Sequence, residues 1–361
     1  GKALAKRPDE RYATVAAFAA DLERHLAGDP IEARGVDAWR RALRFAVRHR
    51  VAAGATAAIA VALVAGAAVA LWQANEARRE AARASAVQAF LIDLFRTNNA
   101  DQADPLRARN TTARELLDRG AGRLGTALAD QPAAKEAIAD TLAKLYRDLG
   151  LTAEASDAAE ARLAAARRLY GPRDPRLGAA IVDAALALAL REPVPVDRGR
   201  ALVAEARGLL AGEAPGVVQG ELEYVASRLA SEAADPTALD AARRSVAILR
   251  AAAPDDPQLV RSLDWLALLE NRGGQGDAAS ATIHEAVELA RRIGLPPPRM
   301  LRLMLRAGEL YSLRDEVEDA DRTLGEAYAL SVRINGPGHP TTLSARRIYL
   351  RHLAWTGRTR E

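Results

Sequence analysis

The feature that most constrains this chain is a turn signal that returns at a nearly fixed distance. Breaks rich in Gly and Pro begin at Asp130, Gly171, Gly212, Ala253, Gly294 and Gly336, in the segments DQPAA, GPRDP, GEAPG, APDDP, GLPPP and GPGHP. The first five lie 41 residues apart and the last follows after 42. Between them runs a weaker series: DLGLT around Gly150, REPVP around Pro193, EAADP around Ala234, RGGQG around Gly274, LRDEV around Asp315 and WTGR around Gly357. Each period predicts helix, turn, helix, turn, with helices of roughly 15 to 18 residues. One such pair cannot bury its own apolar face, so neighbouring pairs must stack to make a core.

Apolar spacing inside the periods is helical. Ile138, Leu142, Leu145 and Leu149 form one predicted stripe, and Leu259, Leu263, Leu266 and Leu269, with Trp265 beside them, form another. Small residues, Ala155, Ala159, Ala278 and Ala286, fall on the second helices, where two backbones have to approach. The units resemble the 42-residue tetratricopeptide repeats of kinesin light chain type, whose linkers read GP-x-H/D-P. YGPRDPRL (Tyr170 to Leu177) and NGPGHPTTLSARRIYLRHLAWTGR (Asn335 to Arg358) carry the likeness. The units near 190 and 230 depart from it, with Pro193 and Pro195 lengthening one turn. Five full units and one truncated unit are expected over 129–361. The resemblance implies a protein or peptide ligand held on the concave surface of the solenoid.

Composition agrees with an all-α chain. Aromatics are 4% and the apolar residues are mostly Ala and Leu, without alternating strand-like runs. The chain has no cysteine, which removes disulfides, thiolate zinc sites and cysteine nucleophiles together. Of 51 Lys/Arg and 47 Asp/Glu, residues 1–50 hold 11 and 7, leaving 40 of each sign for the remainder. The basic excess therefore belongs to one short segment, which argues against a nucleic-acid surface.

Val51 to Trp72, VAAGATAAIAVALVAGAAVALW, contains no charged residue. As a helix it would be about 33 Å long, enough for one transmembrane passage. Arg40, Arg41, Arg44, Arg48 and Arg50 precede it, whereas Arg78, Arg79 and Arg83 follow among glutamates. The positive-inside rule then places the N-terminal side in the cytoplasm and the repeats outside it, in a periplasmic location. Ala62, Gly66 and Ala70 make a row of small residues through which two spans could form a homodimer. Beyond the span, 73–128 reads as a linker helix, a loop, and a capping helix over Thr111 to Leu128. Thr112 and Glu115 are spaced as a capping box.

The first 34 residues read as the end of a domain. LAKRPDERYAT (Leu4 to Thr14) is followed by a helix with Val15, Phe18, Ala19 and Leu22 on one stripe, then GDPIEAR. This resembles the last turn and final helix of the C-lobe of a bacterial serine/threonine protein kinase. In that family the arginine at the position of Arg11 pairs with a glutamate of the activation segment, which has no counterpart here. The order of kinase tail, Arg-rich segment (35–50), single span (51–72), linker and repeats resembles one group of receptor-like bacterial kinases.

No Gly-rich phosphate loop, strand lysine, H-R-D or D-F-G occurs in the chain. No cofactor is expected on it, ATP and Mg being implied only for the kinase lobes, and no enzymatic activity is expected of these residues. His25, His49, His284, His339 and His352 stand in no metal-ligand spacing, and His339 is expected to fix a turn. The arginine pairs 167/168, 243/244, 291/292 and 346/347 are expected on second helices, as dipole-compensating exposed residues or as a site for an anionic ligand. The expected role is sensing and membrane anchoring for a receptor-like kinase; the alternative is a membrane-anchored tetratricopeptide scaffold without kinase activity.

Overall fold

The computed structural model describes residues 2–27, 31, 50–96, 112–124 and 131–357. Most of GDPIEAR, the arginines Arg40, Arg41, Arg44 and Arg48, and the loop 97–111 lie outside the described residues. Every regular element among the described residues is helical. The chain divides into two compact units, Gly1–Ala81 and Ala82–Glu361, with the division inside one long helix.

In the first unit, α1 (Val15–Leu26) starts at Thr14, whose hydroxyl accepts from the Ala17 amide at 3.1 Å. The preceding turn folds onto it: the Tyr12 hydroxyl donates to the buried Asp21 carboxylate at 2.7 Å, and the Tyr12 and Phe18 rings lie 5.3 Å apart. The expected apolar stripe of α1 is not a core face among the described residues, since Val15 is 85% exposed and Leu22 48%. Helix α2 (Arg50–Arg96) runs without a break through the charge-free segment. Its stretch Ala58–Ala82 is long and apolar enough to cross a membrane, and none of it is buried. That window begins and ends later than 51–72, because the helix continues past Trp72 without a turn.

The second unit begins with α3 (Ala113–Leu124), shorter than the expected helix to Leu128 in its described part. The capping box is made: the Glu115 amide donates to Thr112 Oγ1 at 3.2 Å and the Thr112 amide to Glu115 Oε2 at 3.0 Å. Helix pairs follow: α4 (Pro132–Asp148) with α5 (Thr152–Leu169), α6 (Pro175–Ala189) with α7 (Val196–Leu209), and α8 (Val217–Glu232) with α9 (Ala238–Ala252). Then come α10 (Pro257–Arg272) with α11 (Gly276–Arg292), α12 (Pro297–Leu313) with α13 (Val317–Asn335), and α14 (Pro340–Trp355). The result is a tetratricopeptide-like solenoid.

Local chemistry accounts for the period. Five of the six first helices open on Pro, a position where the missing N–H costs nothing. The residue before it caps: Asp174 accepts from the Arg176 amide at 2.9 Å, Asp256 from Gln258 at 2.7 Å, and His339 Nδ1 from Thr341 at 3.2 Å. This is what the D/H-P linker supplies, and His339 does fix a turn. Within pairs the chain reverses through a left-handed residue at Gly150, Ala234, Gly274 or Asp315. There the next amide reaches back to the last helical turn, as from Gln275 to the Glu270 carbonyl at 2.8 Å. The second pair has no such residue and reverses through 190–195 instead, the lengthened turn that Pro193 and Pro195 signal.

Two expected packing assignments need correction. Ile138 and Leu142 are buried, but Leu145 and Leu149 are 39% and 51% exposed, and Tyr146 takes the inward place. The stripe follows i, i+4, i+8, and the Tyr146 hydroxyl donates to Asp118 of α3 at 2.9 Å. On α11 the buried small residue is Ala279, with Ala278 exposed, a one-residue rotation of the expected face. Ala155, Ala159 and Ala286 are buried as expected, and one core runs continuously from Leu117 to Ala320.

A charged knot holds the first two pairs. The Arg162 guanidinium, 13% exposed, reaches Glu136 and Asp140 at 3.0 Å each and also bonds Asp183. Arg162→Ala would leave Glu136 and Asp183 without this guanidinium, Asp140 keeping Lys144, and a loss of about 3–5 kcal/mol is expected in urea unfolding followed by near-UV circular dichroism. Ala234 pays for its φ of 53°, so Ala234→Gly is expected to raise the thermal midpoint, by about 1 kcal/mol in stability, whereas Gly274→Ala lowers it.

Candidate functional site on the inner face of the repeats

First helices of neighbouring pairs touch, α6 with α8 and α12 with α14, while second helices of neighbouring pairs do not approach as closely. The stack therefore curves with the first helices inside. Oppositely charged residues one period apart link these helices. Arg261 of α10 meets Glu221 of α8 at 2.7 Å, Arg306 of α12 meets Asp264 of α10 at 2.7 Å, and Arg351 of α14 meets Glu309 of α12 at 2.6 Å.

Aromatic rings stand among these charges. The Trp265 indole donates to Ser227 Oγ at 2.8 Å, and Ser227 passes the bond to the Ala238 carbonyl at 2.6 Å. The Arg228 guanidinium lies 4.4 Å from the Trp265 ring centre, and that of Arg261 lies 4.8 Å from Tyr224. Cations over aromatic faces leave their N–H edges free for a ligand.

The inner face is also incompletely satisfied. Among the described residues five buried side-chain polar atoms lack a hydrogen-bond partner, and four are on first helices: Arg147 Nε, Gln258 Oε1, Arg261 Nε and Asp264 Oδ1. Both donors and acceptors are represented, as an amide or peptide ligand would require. Burial pushes the Asp264 carboxyl above its usual range, with Arg306, Arg228 and Arg302 pulling the other way. Burial likewise pushes the Arg147 guanidinium down, partly offset by Glu221. In both groups burial opposes the charged form, so each is held ionised at a cost to the fold.

The arginine pairs of the second helices are used differently. Arg167 reaches Glu205 at 2.6 Å, Arg250 reaches Glu285 at 2.9 Å and Arg291 reaches Glu326 at 2.7 Å, each on the next second helix. Arg292 holds Asp255 at 3.2 Å, and Arg244 holds Glu223 at 2.8 Å. Arg167, Arg250, Arg291 and Arg292 thereby tie one pair to the next, whereas Arg244 joins the two helices of its own pair. Arg346 and Arg347 sit on α14, a first helix, and not on a second helix as the spacing suggested.

Two further groups resolve as structural. Buried His352 of α14 bonds Ser312 through Nδ1 at 2.9 Å and Asp321 through Nε2 at 3.1 Å. Ser312 lies one residue from the end of α12, Asp321 on α13 and His352 on α14, so the array joins three helices. In the first unit Arg11 donates through Nε to the Ala5 carbonyl at 2.8 Å and braces the turn before α1.

Sequence reasoning missed Arg147, Glu221, Gln258, Arg261 and Asp264. The available signal was charge complementarity at the repeat distance, as between positions 264 and 306 or 309 and 351.

No protein-family model and no curated protein matches the chain. Solved structures do match in part. A putative kinesin light chain with nearly identical TPR-like repeats from Podosopora anserina is 18% identical, over 61% of this chain and 85% of that one, with a TM-score of 0.32. BtubC (BKLC) from P. vanneervenii is 15% identical over 64% and 95%, with a TM-score of 0.46. YrrB, a TPR protein with an unusual peptide-binding site, is 18% identical over 63% and 99%, with a TM-score of 0.33. At these values the comparisons carry nothing about binding, which rests on the chain's own inner face.

Asp264→Asn tests that face. A carboxyl whose folded pKa is raised stabilises fully below its unfolded value of 3.8, and that contribution is lost as pH rises through the folded value. The variant is therefore expected to unfold at a higher temperature than the native chain at pH 7, with the gap narrowing as pH falls toward 3.8 in a calorimetric series.

Proposed function

We propose that the repeat array binds a peptide or a peptide segment of a protein along its concave face. The observation that carries this reading is the convergence there of unpaired buried donors and acceptors, Arg147, Gln258, Arg261 and Asp264, beside ring-stacked arginines. An extended peptide offers a carbonyl and an N–H at every residue and can satisfy both kinds of atom. The length and apolar character of Ala58–Ala82, without burial, support a second element of the reading, one membrane passage; the arginine bias of its flanks supports extracytoplasmic repeats, and the small-residue row Ala62, Gly66 and Ala70 is where a homodimer would form.

In the full reading these residues belong to a receptor-like serine/threonine protein kinase. The likeness of Leu4 to Thr14 to a C-lobe turn supports it, with ligand binding outside relayed through α2 to kinase lobes inside. The second reading is a membrane-anchored scaffold without kinase activity, and the residues in hand, which carry no phosphate-loop or catalytic motif, fit both readings. Coding DNA on the 5′ side of the Gly1 codon separates them. An open frame carrying a Gly-rich loop, strand lysine, H-R-D and D-F-G supports the kinase; a frame without them leaves the scaffold.

Peptide binding is tested by selecting from a random-sequence display library on the full chain in lipid nanodiscs. Arg228→Glu or Arg306→Glu on the inner face is expected to weaken selected peptides by about tenfold or more, roughly 1.4 kcal/mol. Glu285→Arg on the outer face should leave them unchanged. Peptides indifferent to the inner substitutions but lost with the outer one would overturn the reading.

A further inference from the structure

One contact in the repeat array does not join neighbours. Arg299 Nη2, in the first turn of α12, lies 2.6 Å from Asp148 Oδ1, the last residue of α4, across 151 positions of sequence. The other side-chain hydrogen bonds among the described residues span at most 42 positions, one repeat period. The first pair is thus brought against the fifth, and the connection is made by two first helices on the inside of the curve.

The residue beside this pair shows what α4 covers. Arg147 lies within electrostatic reach of Glu221 and Arg261, in the opening turns of α8 and α10. Glu221 is already engaged, by Arg261 at 2.7 Å and by Gln258 Nε2 at 3.3 Å. Arg147 Nε, Gln258 Oε1 and Arg261 Nε are buried here without partners. The last turn of α4 therefore meets the first turn of α12 through Asp148 and Arg299 and brings Arg147 near the N-terminal halves of α8 and α10, where several of the unpaired atoms lie.

The contact is built to be weak. Its ion pair is about half exposed on both sides, 48% for Arg299 and 59% for Asp148, a class worth roughly 0–1 kcal/mol. The apolar residues of the same turn, Leu145 and Leu149, stay 39% and 51% exposed, so the closed seam leaves much of their surface in solvent. Opening it would hydrate the unpaired polar atoms, a gain that opposes closure. A permanent joint would bury apolar surface and leave no such atoms.

We propose that the last turn of α4 is an autoinhibitory latch, pinned by Asp148 and Arg299 across the concave face, which a bound peptide must displace. The inhibitory role rests on the peptide-binding reading above; the closure itself does not. The chain has no cysteine, so spin labels can be placed at Ala153→Cys and Glu318→Cys, exposed positions on α5 and α13 away from the seam. Double electron–electron resonance on the full chain in nanodiscs is expected to give one short distance at low salt. Asp148→Arg alone, or Arg299→Asp alone, should lengthen and broaden it, and the exchanged pair Asp148→Arg/Arg299→Asp should restore it. Salt near 0.5 M should act like the single substitutions.

An unchanged distance in the single variants would overturn the latch, as would failure of the exchanged pair to close. Peptides selected from a random-sequence library on the Asp148→Arg chain are expected to bind the native chain about tenfold more weakly, as when only one molecule in ten is open. Equal affinity for open and native chains would refute inhibition while leaving peptide binding intact. Capture of no peptide by either form would sink the binding reading and the inhibitory role with it, even where the labels show the seam opening.

Discussion

The repeat array depends on the seating of one helix's leucine on the glycine of the helix before it. Leu210 rests on Gly178, Leu229 on Gly199, Leu249 on Gly220 and Leu324 on Gly308; a Cβ at those glycines would lie only 2.9, 2.7, 2.5 and 2.5 Å from the leucine side chain. Each contact joins consecutive helices, so cohesion passes from neighbour to neighbour and no central core exists to absorb a fault. Volume added at a seat cannot be accommodated by a flexible side chain end alone, because each leucine is itself buried. The glycines also set how closely first and second helices approach, and hence the curvature that turns the first helices inward.

Charge follows the same geometry with different purposes on the two sides. Outside, Arg167, Arg250 and Arg291 each take a carboxylate on the next second helix, in half-exposed pairs that add modestly to stability. Inside, the carboxylates Glu221 and Asp264 are far less exposed than their outer counterparts, and several polar atoms are left unpaired. A fold optimised for stability alone would place apolar residues at Asp264 or Arg147. Retaining charge there costs stability, and binding sites are where such a cost is tolerated. The seam between α4 and α12 is the sharpest case, since it brings together residues that sequence distance would keep apart.

Much of the local structure was legible from residue order. The Gly- and Pro-rich linkers predicted turns, and Asp174, Asp256 and His339 make three of them as helix caps. Thr112 and Glu115 predicted a reciprocal pair, which forms. Errors appeared where one stripe could be drawn through two sets of residues. Leu145 is more apolar than Tyr146, yet Tyr146 is the more deeply buried, because α3 supplies Asp118 for its hydroxyl, while Leu145 stays 39% exposed. Ala278 and Ala279 are chemically identical, so no pattern could choose between them. Val15, Phe18 and Leu22 formed a convincing core stripe, but a stripe records a capacity for burial and not the presence of a partner.

The sequence by itself determined the helices, their ends, their pairing and the period, because caps, left-handed turns and apolar spacing act over a few residues and are written in consecutive positions. It also determined the long apolar helix, which needs only an uninterrupted run. The tertiary structure decided the curvature, the inner and outer assignment of each charged residue, and the meeting of Asp148 with Arg299. Those depend on small rotations between adjacent pairs, summed over four interfaces. No single residue encodes that sum, so a contact across 151 positions emerges only once every interface is packed.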